Sequence, residues 1–177
     1  MNESHTNTVI LGATPDRIEE YFRSRQRSAY ISPISGRFTV VYDEQSEALE
    51  LEALIEFTKT LSARLECPVL TAVDRGKSLL WYTIFENGRF MTGYDSSTRR
   101  PVQAARLSKI YGVPTLAPVV WFVLRMPHWL ILSERRRHGL LVKLLGFPQW
   151  SVGSSFHTIK AGKTPAALNP TDLKYSV

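Results

Sequence analysis

The chain has 177 residues, of which 44% are hydrophobic and 21% charged, with 10 Gly and 10 Pro. That length points to one domain able to bury a core, and the composition excludes a mainly disordered, collagen-like or low-complexity chain. The formal net charge is +6, and Cys67 is the sole cysteine, so an intrachain disulfide and a cysteine-based zinc site are excluded.

Residues 1–8 are polar and lack a basic segment followed by an apolar run, so no secretory leader is expected and the cytoplasm is the expected compartment. TVILG at 8–12 reads as a strand. Thr14 then offers an N-cap and Pro15 suits the first helical position, where a missing N–H costs nothing. Asp16, Glu19 and Glu20 favour the positive end of that helix, expected over 15–29. FTVVYD at 38–43 is β-branched and aromatic and reads as a strand. The clearest helix is 47–66, with Leu51, Leu54, Ile55, Thr58, Leu61, Ser62 and Leu65 on one face. Strands are expected at 68–74, 78–86 and 89–95. Arg75-Gly76-Lys77 is a turn, and Asn87-Gly88 is a hairpin signal because both residues accept positive φ. Both faces of 78–86 are apolar, which places that strand inside the sheet.

Helices are expected from Pro101 to about Tyr111, from 114 to 126, and from 133 to 145, with Gly112 and Gly146 as stops. Residues 129–132 suit either neighbouring helix. QWSVGSSFHTIKA at 149–161 reads as a late strand, with Trp150, Val152 and Phe156 on one face at period two. The expected fold is α+β, in the order β-α-β-α-β-β-β-α-α-α-β: a mixed sheet of about five to six strands packed by helices. One domain spans 1–177, with 162–177 an irregular tail.

APVVWFVLRMPHWLIL at 117–132 is the longest apolar stretch. It falls short of the roughly 20 residues a spanning helix needs, and Arg125, Pro127 and His128 interrupt it. A buried core helix or an interfacial, partner-binding helix fits it better.

Charge is divided along the chain. Residues 1–95 hold 10 Lys and Arg against 14 Asp and Glu, for −4; residues 96–177 hold 12 against 2, for +10. Such a split can steer a polyanion, a membrane surface or an acidic protein toward one face. Arg135-Arg136-Arg137 opens the 133–145 helix, where the dipole disfavours each cation by about 0.3–1 kcal/mol. An acidic partner would offset that cost. Together with Arg99, Arg100, Arg106, Lys109 and Lys143 they are the candidate partner-binding residues. Successive arginines fan around a helix at about 100° per residue, so a solvated surface is the competing reading.

Catalytic and cofactor motifs are missing. Gly162-Lys163-Thr164 resembles the end of a phosphate loop, but His157 stands where the first glycine should be and Pro165 follows. His5, His128, His138 and His157 have no metal-binding spacing. Ser154-Ser155 is not a nucleophile elbow. Cys67 reads as a buried inert thiol, and Asp43, Glu86 and Asp95 read as turn formers at strand ends. No catalytic residue, metal or cofactor is assigned.

WYTIFENGRFMTGYDSS at 81–97 and SERRRHGLLVKLLGFPQWSVG at 133–153 resemble blocks of a family of small bacterial α/β proteins with no assigned activity. The resemblance covers under a third of the chain. It implies the α/β fold and a bacterial cytoplasmic setting, and transfers no functional residue. Members of that group are acidic, so the basic second half departs from their pattern and shared partners do not follow.

The expected function is a non-enzymatic interaction module, of a regulatory or immunity type, binding an acidic protein through the basic half. The alternatives are a nucleic-acid binder, a peripheral membrane binder using Trp121, Phe122, Trp129 and nearby arginines, and a small enzyme whose site gathers distant residues.

Overall fold

The computed structural model describes residues 4–48, 50–98, 103–165 and 167–177. Arg99, Arg100 and the expected helix start at Pro101 lie outside the described residues. The strands are β1 (His5–Leu11), β2 (Ala29–Ile31), β3 (Phe38–Asp43), β4 (Pro68–Asp74), β5 (Leu80–Glu86), β6 (Arg89–Asp95) and β7 (Lys174–Ser176). They form one sheet in the order β6-β5-β4-β1-β3-β2-β7, and every pairing is antiparallel. The helices are α1 (Pro15–Ser24), α2 (Glu44–Glu47), α3 (Leu51–Leu65), α4 (Ala104–Ile110), α5 (Ala117–Arg125), α6 (His128–Ile131), α7 (Glu134–Leu145) and α8 (Phe156–Lys160).

The α+β class stands, but the sheet is antiparallel and seven-stranded among the described residues, where a mixed sheet of fewer strands was expected. The β1-α1-β2 and β3-α3-β4 segments do run as crossovers between strands of like direction. In each case a strand of opposite direction lies between the two: β3 between β1 and β2, and β1 between β3 and β4. This is the β-α-β-β-α-β, ferredoxin-like arrangement. Chain order alone resembles ordinary βαβ crossovers, and only the pairing separates the two.

The hairpin sits where the sequence placed it. Asn87 and Gly88 have φ of 49° and 72°. Gly88 is needed twice over, because a Cβ there would stand 3.1 Å from that of Ala63. β5 lies between β4 and β6, as its two apolar faces require.

Three expectations fail locally. The helix expected to 29 ends at Ser24, and Ala29 starts the three-residue β2. The late strand at 149–161 is a 3-10 turn over Gln149–Ser151 followed by α8. Ser155 and Thr158 exchange capping bonds at the start of α8, and Gly153 has φ of 70°, which breaks the period-two pattern. The stretch after 162 is not irregular throughout, since it ends in β7, which pairs with β2.

Period-two alternation divides the core. Ile10, Ile31, Val41 and Val69 pack under Ile18 and Phe22 of α1 and Phe57, Leu61 and Leu65 of α3. Val9, Val40, Leu70, Ala72, Leu80, Tyr82 and Ile84 point the other way, to the face covered by α4, α5, α7 and α8. Asn7 donates to the Ser151 carbonyl at 2.8 Å and Tyr42 to that of Trp150, which pins the 149–151 turn to this second face. Residues 104–160 of the basic half therefore form one helical layer on one side of the sheet.

Candidate docking surface

In that layer, residues 104–160 carry eight Lys and Arg and one acid, Glu134. Glu134 is buried. Among the described residues this helical layer thus exposes cations and no carboxylate.

The arginine run shows how this comes about. Ser133 caps α7 by accepting from the Arg136 N–H at 3.2 Å. Arg137 turns inward and its side chain is 3% exposed. Its Nε and Nη2 meet Glu134 at 2.8 and 3.3 Å; Nη1 donates to the carbonyls of Val123 and Leu124, and Nη2 to that of Met126 at 2.7 Å. All five N–H bonds are used, and they close the open carbonyl end of α5. Arg135 lies half-buried with Nε 3.6 Å from Asp74 Oδ2. Arg136 is exposed. The three arginines fan as helical geometry requires, and Glu134 and Asp74 offset the dipole cost from within the fold. Arg137 is thereby withdrawn from any surface.

The other candidates separate as well. Arg106 is exposed beside Met91, in a hollow lined by Glu86, Asn87, Arg89 and Phe90 at the hairpin turn. Lys109 and Lys143 are exposed on α4 and α7. Arg136 and Arg125 stand at the opposite end of the hairpin.

Between those two arginines lies a feature made by the apolar stretch. It breaks into α5 and α6 at Pro127, a residue that cannot continue a helix. On α5, Val120, Val123 and Leu124 face the core, while Pro118, Trp121, Phe122 and Arg125 face solvent. On α6 only Ile131 is buried, and Trp129 is 76% exposed. Of the eleven large hydrophobic side chains exposed among the described residues, seven fall between Val119 and Leu140: Val119, Trp121, Phe122, Trp129, Leu130, Leu132 and Leu140. No helix of the described residues is long and apolar enough to cross a membrane.

Two further cations join this ridge, and sequence reading missed them because they belong to the acidic half. The Arg135 N–H donates to the Gly76 carbonyl at 2.9 Å, and His128 Nε2 lies 3.0 Å from the Lys77 carbonyl. The β4–β5 turn is thus held against α6 and α7, with Arg75 and Lys77 exposed beside the ridge. The only signal in the sequence was the basic character of the turn itself.

The histidines do not gather a metal site; among the described residues no group of three or more His, Cys, Asp or Glu is placed to hold one. His138 is buried with Nδ1 3.5 Å from Asp74 Oδ2, and Asp74 Oδ1 accepts from the Gly76 N–H at 2.7 Å. His5 pairs opposite Asp74 across β1 and β4. The contact of His138 with Asp74 ties α7 to β4. His157 is exposed, 3.5 Å from Glu47, whose carboxyl burial pushes above its ordinary pKa.

Cys67 is buried, and burial pushes its thiol up to about 11. Since the thiolate is the reactive form, iodoacetamide at neutral pH should leave the native chain unmodified and alkylate it promptly in urea. Rapid alkylation of the native chain would show the thiol to be accessible.

No family model, curated protein or solved structure matches this chain. The functional reading rests on the surface itself.

Proposed function

We propose that this protein is an interaction module that docks on an anionic membrane surface through the α5–α6 ridge. The observation that carries the reading is the pairing of exposed Trp121, Phe122, Trp129, Leu130 and Leu132 with a rim of Arg75, Lys77, Arg125 and Arg136 on a helical layer whose one carboxylate is buried. Aromatic rings sit favourably at the boundary between headgroups and acyl chains, and each Lys or Arg near an anionic surface adds about 1 kcal/mol.

Leu132 adds a second support. It is the C-cap of α6 with φ of 67° and is 56% exposed. Glycine meets that left-handed backbone at lower cost, and a large apolar side chain gains nothing there in water. Its presence makes sense where the side chain has an apolar phase to enter.

The test is co-sedimentation of the full chain with phosphatidylcholine vesicles, with and without phosphatidylserine. Binding to the anionic vesicles, a blue shift of tryptophan emission and weakening as salt rises are the expected results. Failure to sediment with phosphatidylserine vesicles at low salt overturns the reading.

A further inference from the structure

A cleft of about 470 Å³ opens beside the ridge, between Ser78 ahead of β5, the end of β6 with the turn that follows it, and the α5–α6 elbow. Ser78, Ser96, Thr98, Arg125 and His128 line it, with Met126 and Pro127 on one wall. Its size falls within the range of about 300–1,000 Å³ usual for small-molecule sites. We infer that it receives a phosphate group, as the headgroup of an anionic phospholipid. This deepens the docking proposal above and rests on it.

The donor arrangement supports the assignment. Ser96 Oγ accepts from the Leu80 N–H at 3.0 Å, so its lone pair is engaged and its own hydrogen is left to donate. Among the described residues Arg125 pairs with no carboxylate; its guanidinium lies 5.7 Å from the Trp121 ring centroid. His128 donates through Nε2 to the Lys77 carbonyl at 3.0 Å, which holds its ring at the mouth of the cleft. Ser78 and Thr98 donate inward, to the carbonyls of Arg75 and Asp95. Tyr94 closes the floor by donating to the Leu124 carbonyl at 2.9 Å, and burial pushes its phenol up to about 12, so it stays neutral.

The one acid lining the cleft does not repel an anion. Glu134 is held from two sides by Arg137, and that pair is neutral as a unit. The uncompensated charge is Arg125, which belongs to both the cleft and the ridge. A headgroup phosphate would thus meet its cation where the lipid's glycerol passes the apolar wall of Met126 and Pro127. Charge-assisted bonds to phosphate oxygens are the strong kind, and a guanidinium suits them in geometry as well as charge.

The experiment titrates the full chain with glycerol 3-phosphate and with inorganic phosphate, followed by amide and arginine Nε NMR shifts. In parallel, vesicle binding is compared between phosphatidylserine and phosphatidic acid, whose phosphate is the more exposed. The expected result is saturable shifts at Ser96, Arg125 and His128 with both soluble probes, and preference for phosphatidic acid. Ser96→Ala should weaken glycerol 3-phosphate binding about tenfold. Should Ser96→Ala disturb the sheet end, Arg125→Gln supplies the same readout. Trp129→Ser, whose side chain does not line the cleft, should leave the soluble-probe affinity unchanged while lowering vesicle binding. Vesicle binding without cleft shifts overturns the inference and leaves the docking reading standing. Cleft shifts without vesicle binding make the site one for soluble phosphate, which overturns the lipid assignment and the docking reading together.

Discussion

Arg137→Ala lowers the free energy of unfolding by about 3–5 kcal/mol, the usual cost of removing one partner from a buried ion pair. Glu134 is left charged and buried, and the last carbonyls of α5 lose their donors. A domain of this size is stable by about 5–15 kcal/mol, so the variant stands near the limit of folding. Urea denaturation measures the change. Arg136→Ala, one residue away on the exposed side of α7, should alter stability by no more than about 0.5 kcal/mol. Replacing Arg137 by Met and Glu134 by Leu together should recover part of the loss, because no unpaired charge is left inside. A change below about 1 kcal/mol for Arg137→Ala would refute the role of this guanidinium as the clamp on α5.

The second large effect is on binding rather than folding. Phe122→Ser with Trp129→Ser removes two side chains that are 54% and 76% exposed, so the native fold loses little. If the ridge enters the membrane interface, each ring contributes about 1–2 kcal/mol, somewhat less than full burial of a large apolar side chain would give. The pair should weaken vesicle affinity roughly 30- to 1,000-fold at unchanged urea midpoint. Arg125→Glu with Arg136→Glu should reduce binding to phosphatidylserine vesicles and flatten its salt dependence. Undiminished affinity in the double serine variant would remove the aromatics from the docking surface.

These two predictions treat neighbouring residues of similar chemistry in opposite ways, and the sequence explains only part of the difference. Helical spacing marked α3, the Asn87-Gly88 pair marked the β5–β6 hairpin, and two apolar faces marked the interior position of β5, because each signal is carried within a few residues. The boundaries of α7 were equally visible from Ser133 and Gly146. By contrast, β2 and β7 have three residues each, β2 pairing with β3 and β7, and β7 with β2. Segments that short carry no period. In the 149–161 segment three apolar residues alternate as in a strand, but the capping exchange of Ser155 and Thr158 is the stronger local signal and a helix forms.

The candidate surface was legible in composition and hidden in geometry. Trp121, Phe122 and Trp129 stood out as residues for an interface, and the excess of cations after residue 96 was plain. Helical spacing puts Arg137, four residues before Leu141, on the inward face of α7, but only the fold shows that the carbonyls at the end of α5 meet its guanidinium there. Arg75 and Lys77 reach the ridge only because the β4–β5 turn docks on α6 and α7 through Gly76 and Lys77.

The amino-acid order by itself determined the local elements with strong period, the hairpin turn and the segregation of charge, because propensity, capping and alternation act over neighbouring residues. The tertiary structure decided the antiparallel pairing, the coverage of the second sheet face and which cations face water. Those outcomes follow from burial: a strand or guanidinium is placed by the distant carbonyls and apolar faces that must be satisfied, and no local pattern records where those partners will be.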